Sequence, residues 1–188
     1  MTPEAGVLAQ AFADDPLMTY FWPDANRRHR AMPYFWESRV ESRRRNGIVD
    51  TVRDDTNDIV SVVLWDPPGV TSIAAKPGSL LRALGLAVPR VLATSRRMEH
   101  LRPKQPHLYL AAGASLPHAQ GKSLVSDIIR ARVANTDVDC FTVATNQTSR
   151  AIAEYGGFHL VAELPINKGP TVYGLLRPAG PPAPTATP

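Results

Sequence analysis

The sequence predicts a layered α/β or α+β fold around one central sheet. Three observations lead there. The chain has 188 residues, 44% hydrophobic and 20% charged, which suits one domain large enough to bury a core. Short runs rich in Val, Ile, Leu and Phe have strand character, and segments with apolar residues at helical spacing lie between them. Strands and helices are therefore mixed along the chain, not segregated into halves.

The elements follow in order. Thr2-Pro3-Glu4 reads as a helix start, with a hydroxyl cap, a proline at the first position and an acid in the first turn. Val7, Leu8, Ala11 and Phe12 continue it at helical spacing, and it stops before Pro16. Leu17–Trp22 is aromatic and ends at Pro23. A second helix is predicted from about Asn26 or Pro33 to Arg45, with Met32, Phe35, Trp36 and Val40 on one side and Asn46-Gly47 closing it. Ile48–Arg53 and Ile59–Trp65 are predicted strands on either side of a polar hairpin loop, Asp54–Asp58, and Pro67-Pro68-Gly69 ends the pair. Ser79 is the predicted cap of a helix carrying Leu80, Leu81, Leu84, Val88, Val91 and Leu92, kinked at Pro89.

The second half alternates. His107–Leu116 is a predicted strand, Pro117–Lys122 a loop and Ser123–Asn135 a helix. Val138–Thr145 is a strand, and Thr148–Tyr155 a short helix ended by Gly156-Gly157. Phe158–Leu164 and Thr171–Leu176 are the last two strands. Residues 1–178 form the expected single domain. Ala179–Pro188 is a Pro- and Ala-rich stretch that lacks core-forming residues and is expected to be a mobile tail.

Composition excludes several classes of function. One Cys rules out a disulfide framework and a multi-Cys zinc site. The five His show no ligand spacing, so no metal is expected. Leu80–Val88 contains Arg82 and is far shorter than the ~20 apolar residues of a span, so no membrane partner is expected. Met1-Thr2-Pro3-Glu4 lacks the basic and apolar regions of a signal peptide, which points to the cytoplasm. The net charge of +4 comes in short clusters, Arg27-Arg28-His29-Arg30, Arg43-Arg44-Arg45 and Arg96-Arg97, with acids among them. They read as solvated helix faces, so no nucleic acid is expected, while a modest positive field would help recruit a small anionic ligand.

The strongest local signal is strand, then Pro117-His118-Ala119-Gln120-Gly121-Lys122, then helix. A loop entering a helix leaves unpaired N–H groups at the positive end of the dipole, and Lys122 adds a point charge. A pyrophosphate would suit such a site. The GxxxxGK[ST] pattern of a P-loop is not there.

Leu108–Lys122, LYLAAGASLPHAQGK, resembles the acetyl-CoA motif of the GNAT superfamily of N-acetyltransferases. Further pieces resemble its puromycin N-acetyltransferase branch in the same order. They are Ala11-Phe12-Ala13-Asp14, Pro23-Asp24, Met98-Glu99, Arg102-Pro103-Lys104, Glu154, Gly157-Phe158 and Gly169-Pro170, so the likeness spans nearly the whole chain. The resemblance implies a mixed, mostly antiparallel central sheet flanked by helices, with the family's usual first strand missing. It implies a strand splayed around Gly113, Ala114 and Ser115 that pairs with the pantetheine arm of acetyl-CoA. It also implies that Gln120, Gly121, Lys122, Ser123, Leu124 and Val125 wrap the pyrophosphate. Ser149 stands where the family often has an Asn that touches the coenzyme.

The chain departs from the family pattern at three places. Ser123 and Val125 occupy the positions of the two motif glycines, and Ala153 stands where the family has its acid Tyr. Two functions are therefore expected. The first is transfer of an acetyl or other acyl group from a CoA thioester to an amine of a small, antibiotic-like molecule. The alternative is a diverged scaffold that no longer uses acetyl-CoA and acts on, or binds, a small organic ligand of secondary metabolism. The assembly kept open is a homodimer.

Single residues complete the expectation. His107 shares a strand face with Tyr109 and Ala111 and is the candidate base, since imidazole is the side chain type best suited to proton transfer near neutral pH. Tyr155 is the late-helix candidate acid, although it lies about 200° around an undistorted helix from Ala153. Tyr20, Phe21, Trp22, Tyr34 and Trp36 form an aromatic cluster beside the acceptor side of such a fold. Trp22 and Tyr34, with Tyr109 and Cys140, are the candidate substrate-facing residues. Cys140 lies in an apolar strand, where a thiol packs more readily than it reacts.

Overall fold

The computed structural model describes residues 1–71 and 73–180. Residues 181–188 of the expected tail lie outside the described residues.

The first helix, α1 (Pro3–Ala11), begins where the Thr2 hydroxyl accepts from the Ala5 amide at 3.4 Å. The aromatic stretch is a short helix, α2 (Pro16–Phe21), capped by the Asp15 carboxylate. The long helix α3 (Ala25–Asn46) is capped by Asp24, whose Oδ1 accepts from the Arg27 amide at 2.7 Å. It runs through Pro33. An interior proline costs roughly 3 kcal/mol in an isolated helix. Here the buried face formed by Met32, Phe35, Trp36 and Val40 offsets that cost. Gly47 ends α3 in an extended conformation. A side chain is excluded there because a Cβ would come within 2.6 Å of the Trp65 carbonyl oxygen.

The hairpin forms as expected from β1 (Ile48–Arg53) and β2 (Ile59–Asp66). The helical region after it is not one helix kinked at Pro89. It is α4 (Pro77–Leu84), a 3-10 turn at Gly85–Ala87 and α5 (Val88–Glu99). The break falls at Gly85, where φ is +48°, and Pro89 lies in the first turn of α5, where its missing N–H costs nothing. Ser79 lies inside α4 and does not cap it.

The remainder is β3 (Leu108–Ser115), α6 (Leu124–Ala134), β4 (Cys140–Ala144), α7 (Gln147–Tyr155), β5 (His159–Pro165) and β6 (Thr171–Arg177). The six strands form one sheet in the order β1-β2-β3-β4-β6-β5. Every pairing is antiparallel except β3 with β4. Among the described residues no strand precedes Ile48.

Helices cover both faces. On one side α1–α5 bury Leu8, Trp22, Phe35, Val62 and Leu64. On the other, α6 and α7 bury Ile129, Ala153, Trp65, Leu110 and Leu175. All eight residues of β2 are buried, as a strand covered on both faces requires. The arginine clusters are not wholly solvated. Arg28 is buried and donates to the Ala13 and Trp22 carbonyls, and Arg43 is buried against Asp66 at 2.9 Å. A helix turns one residue in every three or four of such a run toward the core.

Candidate functional site

The site begins with one extra residue in β3. Leu64 pairs with Ala112, but its neighbour Trp65 pairs with Leu110. Ala111 is therefore bulged, and a bulge bends its strand and sharpens the local twist. The bend falls where β3 leaves β4. Their parallel pairing covers only Leu108–Leu110 against Cys140–Thr142. The Thr142 hydroxyl closes this last rung by donating to the Leu110 carbonyl at 2.9 Å. Beyond it, residues 111–115 present to β4 a backbone edge with no ladder partner.

A cavity of about 160 Å³ fills the opening. It passes from one helical layer to the other: Phe12, Asp15, Phe21, Trp36, Arg39 and Arg43 line it on one side, and Val125, Ile129, Ser149, Ile152 and Ala153 on the other. The walls between are Tyr109–Gly113 of β3 and Thr142–Thr145 at the end of β4. Ser95 and Met98 of α5 complete the rim on the α3 side.

Asp15 holds the opening together. Its Oδ1 accepts from the Leu17 and Met18 amides at 2.9 and 3.2 Å, capping α2. Its Oδ2 accepts from the Thr145 hydroxyl at 2.5 Å and the Asn146 amide side chain at 3.1 Å. One buried carboxylate thus ties α2 to the turn between β4 and α7.

The loop into α6 contributes two left-handed conformations, relaxed at a glycine and strained at a serine. Gly121 has φ +77° and Ser123 has φ +58°, the left-handed region that favours glycine. The Ser123 hydroxyl does not cap the helix. The Leu124, Val125 and Ser126 amides meet no acceptor among the described residues, and Lys122 is exposed beside them. The Gln120 side chain turns back and donates to the Ser115 carbonyl at 3.3 Å. Val125 fills the space over Gly113: a Cβ on that glycine would lie 2.9 Å from Val125 Cγ1.

The residues expected from the sequence divide. Gly113, Val125, Ser149 and Tyr109 line the cavity. Ala114 and Ser115 continue the freed edge, and the Ser115 hydroxyl donates to Ser61 Oγ at 3.0 Å. Ser149 is engaged in the α7 capping box: its amide donates to Asn146 Oδ1 at 2.8 Å, and its hydroxyl accepts from the Thr145 and Asn146 amides. Tyr109 lies under the Arg102 guanidinium at 3.5 Å and stacks on Phe141.

The others are not brought to the cavity. His107 precedes β3 at its paired end, its Nδ1 2.8 Å from the Gln105 carbonyl oxygen and its ring edge-on to Phe141. Tyr155 is 64% exposed on the outer side of α7 beside Arg130, whereas Ala153 is buried and lines the cavity. Trp22 is fully buried, edge-on to Phe35. Tyr34 is 57% exposed on a separate surface groove with Arg27, Arg30 and Lys76. Cys140 is fully buried, and desolvation pushes its thiol up to about 11. Among the described residues no three His, Cys, Asp or Glu side chains converge, and no helix is long and apolar enough to cross a membrane.

The sequence reading missed Asp15, Arg39, Arg43, Thr142 and Thr145. A signal for the arginines was available, because the apolar spacing of Met32 and Trp36 continues to positions 39 and 43. An arginine at a core-facing position of a periodic helix is a polar residue that has to be accounted for.

No protein-family model matches the chain, and no curated protein does. Solved structures do. A Corynebacterium glutamicum structure described as histone acetyltransferase HPA2 and related acetyltransferase superposes with a TM-score of 0.73 at 24% identity, over 98% of this chain and 92% of that one. Arylalkylamine N-acetyltransferase 2 from Aedes aegypti superposes with a TM-score of 0.59 at 13% identity, over 95% and 94%. The C-terminal condensation domain of Ebony, in complex with β-alanyl-dopamine, gives 0.56 at 11% identity, over 93% and 92%. At these identities the likeness is one of fold, and the fold is that of the GNAT acetyltransferases.

Proposed function

We propose that the protein transfers an acyl group, acetyl in the simplest case, from a CoA thioester to an amine of a small molecule. The observation that carries this reading is the parting of β3 from β4 at the Ala111 bulge, with a cavity reaching both helical layers. Two reactants can then meet edge-on through the sheet, one from each side. The residues present fit the coenzyme in two respects. The unpaired edge of 111–115 offers amides and carbonyls to an extended amide-bearing arm. The free amides at the start of α6, with Lys122, suit a pyrophosphate.

When bound, the coenzyme supplies an activated carbonyl and a thiolate that leaves readily. The chain's own residues orient and desolvate. The β3 edge holds the arm in line, and Phe21, Trp36 and Met98 keep water from the acceptor side. Positioning of this kind supplies much of the acceleration of a bimolecular reaction. With Ala153 at the family's tyrosine position, proton transfer falls to water, and loss of one positioned acid typically lowers a rate by only about 10²–10⁴-fold.

A specific observation favours a second reading, a scaffold that has given up the thioester. Val125 occupies the space over Gly113, and Ser123 takes a left-handed conformation with a Cβ in place. The Ebony condensation domain supports the idea that this fold serves more than acetylation. Calorimetric titration with acetyl-CoA separates the two. The first reading expects binding; crowding by Ser123 and Val125 holds the dissociation constant no tighter than roughly 0.1–1 mM, and a micromolar value would overturn the second reading. The first reading also expects Ser123→Gly combined with Val125→Gly to tighten binding at least about tenfold, since the smaller side chains open the path. No heat with either protein, while both melt cooperatively, overturns the first reading and leaves the second.

A further inference from the structure

We propose that the molecule bound on the α3 side of the cavity carries a carboxylate, received by Arg39. Trp36, Arg39 and Arg43 lie at i, i+3 and i+7 of α3, on one face, and all three line the cavity. Each brings a hydrogen-bond donor without an acceptor. The Arg39 guanidinium makes no hydrogen bond or ion pair with any described residue; it lies over the Phe35 ring at 4.3 Å and interacts through space with Arg43, Tyr109 and Asp66. Trp36 Nε1 and Arg43 Nε are buried and have no hydrogen-bond partner. A buried polar group left unpaired is costly, so these two buried donors on residues that line the cavity beside the half-buried Arg39 guanidinium call for an acceptor-bearing occupant.

The charges around the cavity agree. Asp66 is the buried carboxylate nearby, and it is engaged by Arg43 at 2.9 Å and by Arg102 at 3.8 Å. Asp15, also on the cavity wall, is spent on α2, Thr145 and Asn146. Glu99 pairs with Arg102 from an exposed position. Arg39, Arg43 and Arg102 therefore leave the α3 end with excess positive charge. Burial, reinforced by the like charge of Arg43, pushes the Arg39 guanidinium down to about 10. It remains a cation at neutral pH, and one that an incoming anion would relieve.

A guanidinium fork matches a carboxylate in two parallel hydrogen bonds. Phe12, Phe21, Phe35 and Met98 surround it with apolar surface. The occupant is therefore a small carboxylic acid with an apolar or aromatic body. On the acyl-transfer reading, on which the term acceptor rests, it is an amine that also bears a carboxylate.

The test measures binding alone, without coenzyme. Two matched pairs serve as probes, L-phenylalanine with 2-phenylethylamine and 4-(aminomethyl)benzoate with benzylamine. The members of each pair differ only in the carboxylate. Titration calorimetry on the wild type is expected to show at least a tenfold preference for the carboxylate in one pair or both. Arg39→Met, checked by thermal melting, should abolish that preference, so that the two members of each pair bind within about twofold of each other. Arg39→Lys should restore part of it, since the charge remains and the fork does not. No preference in either pair, no binding by any probe, or a preference that survives Arg39→Met overturns the proposal. A succinyl-CoA titration locates the carboxylate: binding of that thioester lost in Arg39→Met, with no preference among the amines, would place the anion on the acyl donor and overturn the assignment to the acceptor. Failure of acetyl-CoA to bind, with the carboxylate preference intact, would strike the transferase reading and leave this one standing.

Discussion

Cys140 shows how a single residue changes meaning once its surroundings are known. In the sequence it sits between Asp139 and Phe141 in an apolar strand, and only the general tendency of such thiols to pack speaks for burial. In the fold it has no exposed surface, and burial holds its thiol at about 11. The thiolate is the nucleophile, so at pH 8 roughly one molecule in a thousand is reactive by charge alone. Native protein treated with iodoacetamide at pH 8 should stay unlabelled for hours and become labelled at once in denaturant; rapid labelling of the native state would show the strand to be open. The same surroundings set the sign with pH. A folded-state pKa raised above the unfolded value of about 9 favours the neutral thiol, so this contribution is present below pH 9 and fades as pH rises toward 11. Ala153 and Tyr155 make a similar contrast: two positions apart on α7, one faces the cavity and the other solvent.

At the scale of elements, Asp15 joins parts that are far apart in sequence. It caps a six-residue helix that would not persist alone, and it holds the Thr145 hydroxyl and Asn146 amide from the far side of the opening. Asp15→Ala removes the cap, worth about 1 kcal/mol, and leaves buried donors unpaired, worth about 1–3 kcal/mol more. We expect a loss of about 2–4 kcal/mol, a fall in Tm of about 5–10 °C for a chain of this size. Asp15→Asn keeps one acceptor oxygen for the helix and should lose about half as much. A thermal melt of both variants checks this, and an unchanged Tm in Asp15→Ala would mean that the tie contributes nothing. The Arg43–Asp66 pair does comparable work between α3 and the end of β2, both side chains being almost fully buried.

Across the whole molecule, the sheet is continuous at one end and parted in the middle. Alternate amides of residues 111–115 point to an edge without a strand partner. Native-state hydrogen exchange should therefore be at least about tenfold faster there than at Val62–Leu64, whose strand is paired on both sides and buried. Equal protection would mean that the opening closes in solution. Much of this architecture was legible beforehand. The hairpin from Ile48 to Trp65, the strand–loop–helix run from Leu108 and the glycine stop after Tyr155 are local, because alternation, capping and turn chemistry act over a few residues. The motif likeness at Leu108–Lys122 likewise pointed to where β3 opens. The break at Gly85 rather than a kink at Pro89 was not legible, since a proline within a helical pattern reads as a kink unless it is known to lie in a first turn. Nor was the burial of Arg28, because a run of arginines does not by itself say which one faces inward; for Arg43 the signal lay in the continued spacing of Met32 and Trp36. The sequence alone determined the kinds of elements, their order and the strand that opens. Tertiary structure decided that the extra residue is Ala111, that Asp15 meets Thr145 across 130 positions, and that Trp36, Arg39 and Arg43 share the cavity with Ala153. Bulges, buried ion pairs and cavity walls depend on the register between strands and the packing of helices, and those are set by contacts between segments that no local pattern records.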